Sequence, residues 1–129
     1  MFERDYIMRL IKEMVRAILK LLFHIDTEAP TAEILQDAQE QKMLETLLDL
    51  VDDGKINEAE NRLYDLIEDG TRNHLGSAVL FYSYLNDKSY EFLEEHDFSR
   101  EEVLQGLRDV ASKYGLEAMA ELFLPEQEE

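Results

Sequence analysis

Three histidines and thirty carboxylates, in a chain of 129 residues with no cysteine, bound the chemistry open to this sequence. Without cysteine there is no thiolate nucleophile, no disulfide and no Cys-ligated zinc. His24, His74 and His96 stand apart, and none has a second histidine three or four residues away, as helical metal pairs require. His24 and the pair His96-Asp97 fall where helices are expected to end, and a helix C-terminus favours an imidazole there. No glycine-rich phosphate loop and no nucleophile elbow is present. Tyr64, Tyr82, Tyr84 and Tyr90 either line a pocket or, as their helical spacing suggests, sit in the core with hydroxyls at its rim. No catalytic residue is assigned, no cofactor is implied, and a non-enzymatic role is expected.

The sharpest ligand pattern is a run of oxygen donors. Asp49, Asp53, Gly54, Ile56, Asn57 and Glu60 occupy the first, fifth, sixth, eighth, ninth and twelfth positions of an EF-hand calcium loop. Val51 stands third, where an oxygen ligand is required, and it also belongs to the apolar face of the helix before it. Calcium binding through Asp49, Asp53, Asn57 and Glu60 is therefore a minor alternative, and no metal site is the main reading.

Those residues lie in the stretch that organises the chain, Lys42 to Gly70. Leu44, Leu47, Leu48 and Val51 repeat on one helical face, and so do Ile56, Ala59, Leu63, Leu66 and Ile67. Gly54 between them supplies the left-handed turn that ends the first helix. Asn57 and Glu60 are spaced as a capping box for the second, and Gly70 ends it. Two helices joined this closely fold back on each other.

Residues 5–24 predict one long helix. Ile7, Ile11, Met14, Ile18, Leu21 and Ile25 form a seam spaced alternately four and three apart, and Met8, Val15, Leu19 and Leu22 form a neighbouring stripe. The polar face carries a basic stripe, Arg9, Lys12, Arg16 and Lys20. A helix so apolar needs cover on more than one side, so a homodimer through the seam is expected. Residues 1–25 hold five basic and three acidic side chains, +2, against eight and twenty-seven, −19, in the rest of a chain whose net charge is −17. That balance excludes wrapping nucleic acid, which needs Lys and Arg on phosphates. A peripheral membrane or lipid-binding role for helix 5–24 is the alternative, but the acidic body opposes an anionic surface, and the polar face is narrow for the membrane interface.

Further along, Thr31 is placed to cap a helix from Ala32, with the polar span 36–42 as a solvated face or a break. Leu75, Ala78, Val79, Tyr82 and Leu85 mark the most buried helix, 71–85, whose small residues Gly76, Ser77 and Ala78 admit a close neighbour. Asn86 and Asp87 end it and cap a short helix containing Tyr90, Phe92 and Leu93. Ser99 and Glu102 form a capping box for a helix that ends at Gly115. A last helix spans 116–124, and residues 125–129 are expected to be a frayed acidic tail. No leader peptide or spanning segment is evident, so a cytoplasmic location is expected.

Gly54, the run Asn57-Glu58-Ala59-Glu60 and Leu63 resemble the middle of a tetratricopeptide repeat. Leu47, Leu66 and Thr71 depart from that pattern, and no second copy follows. Over nearly the whole length, Asp5-Tyr6-Ile7-Met8-Arg9, Ala59-Glu60-Asn61 with Leu63, Phe98-Ser99-Arg100-Glu101-Glu102, Gly106-Leu107 and Tyr114-Gly115 resemble a family of small, mainly Gram-positive bacterial proteins of unknown function. The resemblance implies a helical fold and a bacterial cytoplasm, and carries over no site residues. Together these readings predict an all-α domain over 1–129, with six or seven helices packed as antiparallel hairpins. Its expected role is that of a self-associating protein-interaction or scaffold module with an unidentified partner.

Overall fold

Helix periodicity through almost every segment becomes seven α-helices in a computed structural model, which describes residues 2–28 and 30–122. They are α1 (Phe2–Phe23), α2 (Ala38–Asp52), α3 (Ile56–Ile67), α4 (Arg72–Asn86), α5 (Tyr90–Glu95), α6 (Arg100–Lys113) and α7 (Glu117–Glu121), with a 3₁₀ turn at Ala32–Ile34. There is no strand among the described residues. The acidic tail 125–129 lies outside them.

α4 is the hub, packed against α1, α2, α3 and α6. Leu75, Ala78, Val79, Leu80, Phe81, Tyr82 and Leu85 are all buried, so this helix presents apolar atoms on every side. The α2–α3 hairpin forms as its pattern predicts. Gly54 adopts φ +83, and the amide of Lys55 reaches back to Leu50 O at 2.8 Å. A Cβ at Gly54 would also lie 2.4 Å from Nε2 of His96, so no other residue fits without moving that ring. His96 in turn donates from Nδ1 to Phe92 O at 2.8 Å, locking the end of α5 onto the hairpin turn. Its role here is to join elements.

Several expected caps shift. Thr31 caps only the 3₁₀ turn, and α2 starts six residues later than expected because Asp37 captures the amides of Gln39 and Glu40. Asn57 caps nothing. Lys55 occupies the N-cap of α3 without a side-chain bond, since Glu60 is drawn across to Tyr82. Ser89, not Asn86 or Asp87, caps α5 through the Phe92 amide. Ser99 caps α6 as expected.

Asn86 instead turns inward and donates to Met8 O, tying α4 to α1. Arg100, although charged, is buried: its Nη1 donates to the carbonyls of Asn86 at 2.6 Å and Lys88 at 3.0 Å. Those carbonyls lie at and just beyond the negative end of the α4 dipole, a favourable place for a guanidinium.

Candidate functional site

The seam of α1 is inside. Ile11, Met14 and Ile18 are 0% exposed and Ile7 is buried, with α4 and α6 as neighbours; Val15 and Leu19 of the second stripe are buried as well. Ile25 is half-buried against the same core, and only Leu21, at 61%, is open. Most of both stripes is thus covered by the chain's own helices, while Leu21 stays exposed and Met8 and Leu22 are half-buried. The basic stripe lies outside on the same helix. Arg16 faces Asp26 (3.3 Å) and Glu28 (3.8 Å), and Lys20 faces Asp26 (3.9 Å), all well exposed. Exposed pairs of this kind contribute about 0–1 kcal/mol each.

The calcium loop does not form. α2 continues through Asp49–Asp52, the Asp53 amide still donates to Asp49 O, and Val51 is fully buried. Apolar packing at Val51 holds helix where a loop is needed. Among the described residues no three His, Cys, Asp or Glu side chains are grouped to hold a metal.

One concave feature lies where α1 ends. His24 takes the left-handed position (φ 60), and the amide of Ile25 reaches back six residues to Leu19 O at 3.0 Å, one residue further than the 6→1 bond of a Schellman ending. The chain thereby doubles back beside α1 before the 3₁₀ turn, opening a cleft of about 560 Å³. Its walls include Leu19, Leu22, Phe23, Ile25, Ile34 and Leu35; Gly76 and Glu40 also line it. At Gly76 a Cβ would come within 3.2 Å of Leu35 Cδ2 and 3.7 Å of Phe23 Cζ, so glycine keeps this part of the cleft open. Arg72 stands over the Phe23 ring, 5.3 Å from its centroid, and its Nη2 donates to Leu22 O.

Glu40 is the polar centre. Its side chain is 8% exposed, and Oε2 accepts from Ser77 Oγ at 2.7 Å and from His74 Nδ1 at 2.7 Å. A carboxylate only accepts, so the proton on Nδ1 is fixed. Both donors converge on one oxygen. Ser77 therefore gives its proton's bond to Glu40 and not to His74, which is not the serine–base geometry of nucleophilic catalysis. The arrangement is a carboxylate held in place at a cleft by two donors on one of its oxygens.

Residues 1–115 match the model of a family of unknown function, DUF6483. The chain belongs to that family. No characterised protein and no solved structure is significantly similar to it. The span matched to DUF6483 contains every residue of the cleft and its carboxylate centre, and ends before α7. No helix among the described residues of this DUF6483 chain is long and apolar enough to cross a membrane.

Glu40 was hidden in the sequence because its surroundings, 36–42, are polar. The signal lay elsewhere: His74 and Ser77, three residues apart on the most buried helix, need a polar partner. Two further networks were equally silent. Asp52 accepts from Tyr84 (2.8 Å) and Lys88 (2.7 Å), and Lys88 also lies over the rings of Tyr84 and Phe92. Glu60 accepts from buried Tyr82 at 2.6 Å and from exposed Tyr64 at 3.4 Å.

Burial raises the pKa of Glu60 above the ordinary carboxylate value, opposed by the Tyr82 and Tyr64 hydroxyls and reinforced by Glu102 and Asp109. Burial and the facing Glu60 raise Tyr82 as well. A raised carboxylate pKa contributes stability below its ordinary value of 4.5, and that contribution is lost as pH rises through the raised one. Glu60→Gln cannot ionise and can still accept from Tyr82. Its melting temperature relative to the unsubstituted chain is therefore expected to climb from about pH 4.5 upward. Parallel melting curves from pH 4.5 to 7.5, roughly the window above the ordinary value, would contradict this.

Proposed function

We propose that this chain is a non-enzymatic binding module whose site is the cleft at the end of α1, and that it takes a small ligand with an apolar body. One observation carries the reading: an apolar-walled hollow ends on a buried, positioned carboxylate. Its volume of about 560 Å³ lies within the roughly 300–1,000 Å³ of small-molecule sites, which likewise combine apolar walls with a few placed polar groups. The hydrogen bonds of His74 and Ser77 to Glu40, and not to each other, favour binding over catalysis. In this reading α2 supplies Glu40, and the rest of the tetratricopeptide-like α2–α3 hairpin is scaffold packed against α4.

The test is fluorescence titration with the neutral apolar probe N-phenyl-1-naphthylamine. Saturable one-to-one binding is expected, and Gly76→Leu, which fills the cleft, is expected to abolish it. Ile25→Trp, at a half-buried position in the wall, is a second block should the first variant melt early. Absence of saturable binding, or binding unchanged in both variants, would rule the reading out.

A further inference from the structure

We infer that the ligand of this cleft carries a protonated amine on its apolar body, with Glu40 as the counter-charge; this rests on the binding reading above. Glu40 is more than nine-tenths buried, yet both its hydrogen bonds come from groups without a fixed charge, a hydroxyl and an imidazole. A carboxylate has about four acceptor positions, and two are used. The imidazole brings a counter-charge only when it is protonated; beside a neutral imidazole the buried carboxylate has none, so a cation entering there gains more than it would in water.

The nearby fixed cations are engaged elsewhere. Arg72 is on the Leu22 carbonyl and the Phe23 ring, while Arg16 and Lys20 face Asp26 and Glu28. The remaining polar groups lining the cleft are Asp37, Gln36 and His24. α2 begins here, and free amides at a helix N-terminus would welcome an anion. Those of Gln39 and Glu40 are taken by the Asp37 side chain, and that of Gln41 by the Asp37 carbonyl. Two carboxylates line the hollow, in a chain of net charge −17. The electrostatics therefore select against anions and for an ammonium group, while Leu19, Leu22, Ile25 and Ile34 accept its apolar part.

Three probes of one chain length separate the contributions: octylammonium, 1-octanol and octanoate, titrated calorimetrically into the full chain. At about pH 7.5 the amine is protonated and the acid ionised, and about 0.3 M salt suppresses attraction to the acidic surface. Octylammonium is expected to bind with one-to-one stoichiometry, at least about tenfold tighter than octanol, with octanoate weakest. Glu40→Gln keeps an acceptor for His74 and Ser77, and is expected to remove the preference for the amine over octanol. Equal binding of octanol, tighter binding of octanoate, or an amine preference that survives Glu40→Gln would overturn the amine assignment and leave the cleft as a binding site. Failure of all three to bind would overturn both. Should Glu40→Gln not fold, the ranking on the unsubstituted chain decides.

Discussion

Ile11→Ala is expected to lower the unfolding free energy by about 2–5 kcal/mol, the range for truncating a large aliphatic side chain in a well-packed core. Ile11 is fully buried between α1 and its neighbours, and the cavity left by alanine cannot be filled from solvent. Leu21→Ala, on the same proposed seam but 61% exposed, is expected to change stability by no more than about 0.5 kcal/mol. Urea unfolding of the two variants side by side separates the two roles the seam could play. Were Ile11 held for a second copy, its effect would fall with dilution of the protein. Intramolecular burial gives a loss that is independent of concentration.

Gly106→Ala carries the second large effect, and its sign is the informative part. In the middle of an exposed helix this change stabilises by about 1 kcal/mol, since alanine is the better helix former. Here a Cβ would fall 2.4 Å from Cε1 and 2.5 Å from Cζ of Tyr82, a fully buried ring. That ring cannot swing away: its hydroxyl is fastened to Glu60, and Phe81 packs edge-on against it at 5.1 Å. Overpacking costs about 1–3 kcal/mol and outweighs propensity, so thermal melting is expected several degrees lower, at roughly 3–5 °C per kcal/mol for a chain of this size. In a Tyr82→Leu background the same Gly106→Ala substitution is expected to stabilise, because the obstructing ring is gone. An additive pair would show that the α4–α6 contact is not the cause.

The sequence read well wherever one face of one helix decided the outcome. The α2–α3 hairpin, the burial of α4, the turn at Gly54 and the Ser99 cap all follow from local periodicity and local hydrogen bonding. What was misread depended on a partner far along the chain. Glu60 looked like a cap or a calcium ligand until Tyr82, twenty-two residues on, claimed its carboxylate. Glu40 looked solvated because nothing beside it in sequence reveals that Ser77 and His74 fold over it. The seam of α1 was correctly recognised as apolar on two sides. That α4 and α6 both reach it lies beyond one-dimensional spacing, which gives an apolar face and not the element that covers it. The cleft was invisible for a related reason, as it arises from the reversal at His24, a residue without the usual glycine signature for a left-handed position.

Methyl-resolved NMR during addition of octylammonium locates the binding event itself. The account requires shifts at Leu19, Leu22, Ile25, Ile34 and Leu35, saturating together, with Leu63 and Val103 in the distant core unmoved. Shifts scattered over the acidic surface without saturation, or saturating shifts centred away from the Glu40 cleft, would contradict it.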